Sequence, residues 1–331
     1  MAFFNTNIPE LSGFDTGICL SNLDVLGQRQ DRVSESVLGV LSELCDAILR
    51  DAGGDPDTLD SILLSLQSPP DGDESDTPSS AVAPINRDLL RRMSARSGLY
   101  ARLLLYRMME ERGHGESAVP ALSPLPPSVR GRVAYMPGAF ADKAYLRLTA
   151  PLKNPRAAAT ASFVDACEEV HSGLCEYCIL PLENTHSGRL TAFTRLIIRY
   201  RLQVVAVCDL ENGAAEGQAT RFALLRNAYE GRFPAPLATA DSRLPLYLEL
   251  IHTTDAPPFT DLLNAAEFCG LTLCGADTLP LFDELAILGV ENTYPTVACV
   301  LDATGGDLAT FTRFLALETP EDILTGLYRS V

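Results

Sequence analysis

The chain has 331 residues, 47% of them hydrophobic, enough to bury a sizeable core and to divide into two or three domains. Its 26 Lys and Arg stand against 43 Asp and Glu, a net charge of −17, and that field repels nucleic-acid phosphates and anionic lipid alike. No apolar run nears the roughly 18 residues that cross a bilayer, and MAFFNTNIPE lacks a signal peptide's basic and apolar regions, so a cytoplasmic protein with no membrane and no nucleic-acid partner is expected.

The first third reads as helical. Val33, Val37, Leu41, Leu44 and Ile48 recur at three- and four-residue steps, with Asp31 or Ser34 placed to cap the start. A shorter helix is expected over Asp55–Leu66. The run SPPDGDESDTPSSAVAP at 68–84 has almost no large side chain and predicts a disordered linker over about 68–85. Asn86–Arg112 is the longest helical pattern, carrying Leu89, Leu90, Met93, Tyr100, Leu103, Leu104 and Met108 and stopping at Gly113. Arginines at 87, 91, 92, 96, 102, 107 and 112 fall on it. They read either as a solvated face paired with acidic neighbours or as an anion site between helices.

A Pro-rich connector, GESAVPALSPLPPSV, separates this region from one of different texture. Strands are expected at Arg132–Tyr135, Leu174–Leu180, Leu202–Val207 and Arg221–Leu225, and helices at Ala139–Leu148, Ala161–His171 and Thr191–Tyr200. That alternation predicts an α/β layer on a mainly parallel sheet, with ligands at the carboxyl ends of its strands. From Leu244 the order becomes strand (LPLYLELIH), helix (PFTDLLNAAEFCG), strands (LTLCGAD and YPTVACVLDA), helix (DLATFTRFLALE) and a closing LTGLYRS, the ferredoxin-like βαββαβ type.

The nine cysteines sit mostly in apolar runs and read as small hydrophobes in a reducing compartment. Cys175-Glu-Tyr-Cys178 has metal or redox spacing, but no second pair follows it and the four histidines are scattered. No metal and no cofactor are expected.

Three turns carry polar groups at strand ends. Pro137-Gly138-Ala139-Phe140 opens a helix, where backbone N–H groups can approach an anion. Pro181-Leu-Glu183-Asn184-Thr185-His-Ser-Gly188 follows the strand CEYCIL, and Gln218-Ala-Thr220-Arg221-Phe222 enters another. Taken singly, Asn184 or Thr185 reads as a helix cap and Arg221 as a structural ion pair.

Taken together and in this order, residues 130–331 resemble the prephenate dehydratase family, which includes the arogenate dehydratases. RVAYMPGAFADKA is similar to the family's opening strand, turn and helix, LPLENTHSG to its Pro-Ile-Glu-Asn-Ser-x-x-Gly turn, and Thr220-Arg221-Phe222 to its Thr-Arg-Phe signature. After the helical region at 1–115, the resemblance implies a periplasmic-binding-protein-like α/β dehydratase domain, here truncated, at 130–232, and an ACT-like regulatory domain at 240–331. It implies a lyase of phenylalanine biosynthesis that expels hydroxide and carbon dioxide from prephenate to leave phenylpyruvate. Thr220 would give the proton inside a polarised hydrogen-bond network. Arg221 would position a carboxylate, Glu183, Asn184 and Thr185 would orient polar groups, Phe222 would line the site, and Gly138 and Gly188 would admit backbone close to substrate.

The chain also departs from the family. Ala141 replaces a hydroxyl residue, and only CDLENGAAEGQA stands where the family has a whole second lobe. The Gly-Ala-Leu turn of the ACT part reads Ala256-Pro257-Pro258-Phe259, and Glu-Ser-Arg-Pro survives only as Ala276-Asp-Thr-Leu-Pro280. The alternative is therefore a non-catalytic sensor of a small carboxylate or aromatic amino acid. Either way the apolar strands after 240 predict a homodimer or larger, joined through the ACT-like part. Whether the first helices close over the strand ends to replace the lost lobe separates the two readings.

Overall fold

A computed structural model describes residues 35–50, 95–111, 123–125, 131–211, 219–227, 232–234, 244–253, 257–280 and 296–331. The helix expected over Asp55–Leu66, the Pro-rich connector at 68–84, all of the second connector except 123–125, and Arg87, Arg91, Arg92 and Arg112 lie outside them.

In chain order the helices are α1 (35–50), α2 (Ala95–Glu111), α3 (Ala139–Thr149), α4 (Phe163–His171), α5 (Thr191–Arg199), α6 (Phe259–Phe268) and α7 (Leu308–Glu318). The strands are β1 (Ser123–Leu125), β2 (Arg132–Tyr135), β3 (Arg156–Ala159), β4 (Tyr177–Asn184), β5 (Gly188–Arg189), β6 (Leu202–Glu211), β7 (Ala219–Asn227), β8 (Arg232–Pro234), β9 (Leu246–His252), β10 (Thr272–Leu279), β11 (Thr296–Asp302) and β12 (Ile323–Ser330). Ten of these strands share one sheet in the order β10-β11-β9-β12-β6-β7-β4-β2-β3, with β5 paired to β4. Short β1 and β8 pair with each other.

The sheet is mixed where a mainly parallel one was expected. β3, β2 and β4 run parallel, but β7 lies antiparallel between β4 and β6 because β6 and β7 form a hairpin. That pairing lengthens the strands. β4 begins at Tyr177, leaving Leu174 exposed, and continues through Glu183 and Asn184; β6 reaches Glu211, and β7 starts at Ala219. Residues read as turn are thus strand residues with cross-strand partners. β3, an all-Arg/Ala strand with no alternation to reveal it, escaped the sequence reading.

Helix positions follow local signals. Ser162 caps α4 by accepting from the Asp165 amide, and α4 buries Ala166, Cys167 and Val170. α4 and α5 cover one face of the β2–β7 region, where Cys178, Leu180, Val204, Val207, Ala223 and Leu225 are buried. α3 covers the other, over Tyr177, Ile179, Cys208, Phe222 and Leu224.

The C-terminal half has the expected βαββαβ order, with its strands arranged β10-β11-β9-β12, all antiparallel. α6 and α7 cover one face, and α1 and α2 pack over them as a third layer: Leu41, Cys45, Ile48, Leu99, Leu103 and Tyr106 share a core with Leu262, Phe311, Phe314 and Leu250. The first helices therefore do not lie over the strand ends of the other half. Their arginines are tied to acids of the C-terminal half: Arg102 to Glu318 at 2.7 Å, Arg107 to Asp307 at 2.8 Å and Arg96 to Glu267 at 3.9 Å. Of the two readings for this helix, paired arginines hold at these three positions. On the opposite sheet face, Ile198 of α5 packs against Ile251, Leu279 and Ala298, so the chain itself covers part of a face expected to need a partner.

The two halves join where β12 runs parallel beside β6. Gly326 faces Val204, and a Cβ there would stand 2.8 Å from the Val204 Cβ and 2.9 Å from its carbonyl oxygen. Gly326→Ala should therefore force the strands apart and lower the free energy of unfolding by about 1–3 kcal/mol, measured by denaturant titration.

Asp307 gives a second prediction. Its Oδ1 caps α7 by accepting from the Thr310 amide, and its Oδ2 accepts from Arg107. Burial acts to raise its carboxyl, but the Thr310 and Arg107 hydrogen bonds outweigh it and hold the group below the usual carboxylate range. Stability from this group is complete above the unfolded value near about 4 and is lost as pH falls through the lower folded value. The acid limb of a stability–pH curve should be shallower for Asp307→Asn than for the parent chain.

Candidate functional site

The signature residues meet on the projecting ends of β4, β6 and β7. β2 pairs with β4 only through Val133 and Ala134, opposite Tyr177 and Cys178, so β4 runs six residues beyond that pairing to Asn184, about 20 Å of strand. Two bulges set which side chains share a face there, one between Pro181 and Glu183 and one between Val204 and Ala206. Past them, Glu183, Arg221 and Asp209 form one cross-strand row, and Asn184, Thr220 and Leu210 form the next.

Adjacent rows of a sheet face opposite sides. Phe222 and Leu224 are buried under α3, and Ala223 and Leu225 under α4 and α5. Thr220 and Asn184 thus face the α3 side, and Arg221 faces away from it with Glu183 and Asp209. Thr220 and Arg221, adjacent in sequence, do not present their side chains to the same space.

The Arg221 guanidinium is held on two sides. Its Nε donates to Asp209 Oδ1 at 2.9 Å and its Nη2 to Asp209 Oδ2 at 3.2 Å, while Nη1 donates to Glu183 Oε2 at 3.3 Å. The Asp209 hydrogen bonds, outweighing burial, raise its pKa further, so it stays charged. One cation against two carboxylates leaves this row net negative, a poor receptor for a dicarboxylate.

The other predicted residues serve the turn itself. Asn184 Oδ1 accepts from the His186 amide at 3.0 Å, the Ser187 amide at 2.6 Å and the Ser187 hydroxyl at 2.8 Å. Thr185 Oγ1 accepts from the Ala219 amide at 3.0 Å, fastening the turn to β7. These are side-chain turn bonds of the sort that capping residues make. Gly188 has φ +66°, and this left-handed bend explains the glycine; a Cβ there would meet nothing within 4 Å. Gly138 precedes α3 with extended backbone and equally open space, so neither glycine serves a close approach among the described residues. Phe222 is 6% exposed within the core under α3 and is a packing residue.

Cys175 and Cys178 are buried structural thiols. Burial, reinforced by a hydrogen bond to Glu169, pushes Cys175 up to about 12; Cys178 is raised well above its usual value by its bond to Cys167 and by burial. Thiols held protonated are poor nucleophiles. Among the described residues, no three His, Cys, Asp or Glu side chains are grouped to hold a metal ion, and no helix is long and apolar enough to cross a membrane.

One arrangement escaped the sequence reading. Arg189, the residue after Gly188, donates from Nη1 to Glu249 Oε1 at 2.6 Å and from Nε to Asp277 Oδ2 at 3.3 Å, linking the candidate turn to the C-terminal half. The signal was Glu249 itself, an acid in the middle of the apolar strand LYLELIH, since a buried carboxylate implies a partner.

No family model matches the chain, and no curated protein does. Solved structures of similar chain course include a prephenate dehydratase from Streptococcus mutans, 15% identical, covering 60% of this chain and 98% of that one with a TM-score of 0.46. Another is a prephenate dehydratase from Arthrobacter aurescens in complex with L-Phe, 12% identical over 60% and 89% of the two chains, TM-score 0.42. A third is GqqA, described as a novel type of quorum quenching acylase, 16% identical over 60% and 95%, TM-score 0.41.

The Arg221, Glu183 and Asp209 side chains are each 40–48% exposed, so each pair is worth only about 0.2–1 kcal/mol. Arg221→Met removes both pairs and should lower the unfolding free energy by no more than about 2 kcal/mol, with the difference shrinking in roughly 1 M salt as screening grows.

Proposed function

We propose that the chain is a non-catalytic relative of the prephenate and arogenate dehydratases, a cytoplasmic regulatory protein responsive to a small carboxylate or aromatic amino acid. One observation carries this reading. Thr220 and Arg221 face opposite sides of the sheet, and the guanidinium that would hold substrate is shared by Asp209 and Glu183. Dehydration of prephenate needs a proton for the departing hydroxyl and charge to hold two carboxylates, both in one enclosed space. The half-exposed ion pairs at the strand ends and the packing of α1 and α2 on α6 and α7 support an open site instead.

On this reading the βαββαβ half corresponds to an ACT-like module, and ligand response belongs to it. Self-association through the same half fits β10, whose outer edge has no partner among the described strands and whose residues from Thr272 to Thr278 are exposed.

A second reading, an active dehydratase with Thr220 as proton donor, draws on one observation: Thr220 and Asn184 share a row on the side covered by α3. Phenylpyruvate formation from prephenate at neutral pH separates the two. The full chain should not exceed an enzyme-free control, which is needed because acid converts prephenate unaided. Its melting temperature should rise with at least one of prephenate, arogenate, phenylpyruvate, phenylalanine or tyrosine, by about 2.7 kcal/mol of stabilisation at a hundredfold excess over Kd. Turnover that disappears in Thr220→Ala would establish the enzyme, and no shift with any ligand would remove the regulatory reading.

A further inference from the structure

Glu249 stands in the middle of β9 with its side chain 5% exposed. Its neighbours Leu248 and Leu250 point into the core under α6 and α7, so Glu249 faces the other side of the sheet. Two groups converge on its carboxylate there. Arg189 donates to Oε1 at 2.6 Å, and the Tyr328 hydroxyl donates to Oε2 at 3.2 Å. Arg189 comes from β5, immediately after the turn at 184–188, and also reaches Asp277 at 3.3 Å; Tyr328 comes from β12, the strand that joins the halves. One guanidinium, 15% exposed, thereby ties the candidate-site turn to β9 and β10, and one carboxylate ties β9 to β12.

The backbone adds to this. Gly326 lies between Glu249 on β9 and Val204 on β6, in close contact with Val204. Rotating one half against the other would strip a buried carboxylate from its guanidinium and open a packed strand pair together. Leaving one member of such a buried pair uncompensated is among the costliest single losses a fold can suffer.

We propose that Arg189 and Glu249 form a clamp that couples the turn at 184–189 to the C-terminal half, so that a change at β9 or β10 reaches the strand-end site as strain on this turn and not through rotation of one half against the other. The clamp is a property of the seam and applies whether the strand ends turn over a substrate or only bind one. Its energetic reach follows from two anchor points of different exposure: Glu249 is buried, whereas Asp277 is 59% exposed on β10 and can be altered without touching the core.

Hydrogen exchange of the full chain, followed by mass spectrometry, tests this. The amides around 183–190 are held by the β4–β5 pairing and by the Leu190 amide donating to the Leu182 carbonyl at 2.8 Å. Glu249→Gln keeps the shape and an acceptor but removes the charge, and should speed exchange at 183–190 by about tenfold or more while residues 139–149 of α3 keep the parent rate. Asp277→Asn, a change at an exposed edge that leaves folding intact, should speed exchange at 183–190 about threefold, since it removes one of two carboxylates from Arg189. If Glu249→Gln does not fold, Asp277→Asn decides alone. Unchanged exchange at 183–190 in Asp277→Asn overturns the proposal. So does acceleration of 139–149 by the same factor in either folded variant, which would mean general loss of stability and no specific coupling.

Discussion

The contact on which the rest depends is the parallel pairing of β12 with β6. Without it there would be two sheets, a four-stranded antiparallel one and a mixed one around β7, each with an open edge at the junction. With it, the edges of β12 and β6 disappear into a ten-stranded sheet, and Tyr247 and Tyr328 join the core beneath α4 and α5. The pairing requires a residue without a side chain where β12 meets Val204, and Gly326 supplies it. A parallel register between strands whose paired residues, such as Gly326 and Val204, stand 122 apart in sequence gains nothing from a local turn, so side-chain packing and the clamp beside it must hold it.

An acidic chain of this size has few cations to place, and five described arginines serve as internal ties. Arg102 meets Glu318, Arg107 meets Asp307, Arg313 meets Glu110 at 2.8 Å, Arg189 meets Glu249 and Arg221 meets Asp209. All but the Arg221 tie, which spans the β6–β7 hairpin, join segments distant in sequence. The first three fix α2 on the C-terminal half, away from the strand ends. The same economy of positive charge weakens the case for a dicarboxylate site at Arg221: a guanidinium already between two carboxylates attracts a third poorly.

Bulges decide what the signature residues can do. With ordinary alternation from Leu180, Asn184 would face α4 and α5. The extra residue at Leu182 reverses that, bringing Glu183 opposite Arg221 and Asn184 opposite Thr220. The strand ends thus separate a charged row from a hydroxyl and amide row, on two sides of one sheet.

Element type was largely legible in the sequence, because it follows from short-range periodicity: α2 from its apolar steps, α4 from Ser162 and the residues after it, the βαββαβ order from alternating apolar runs and turns. The grouping of Glu183, Asn184, Thr185, Thr220 and Arg221 at one end of the sheet was legible too, through the motif order. The strand lengths, the antiparallel place of β7, the joining of β12 to β6 and the partners of Arg189 and Arg221 were not. Register and bulges are set by which side chains pack across strands far apart in the chain, and no local pattern encodes that choice. Whether an arginine is a ligand or a tie rests on the acids the fold brings within about 3 Å of it, which only the tertiary structure decides.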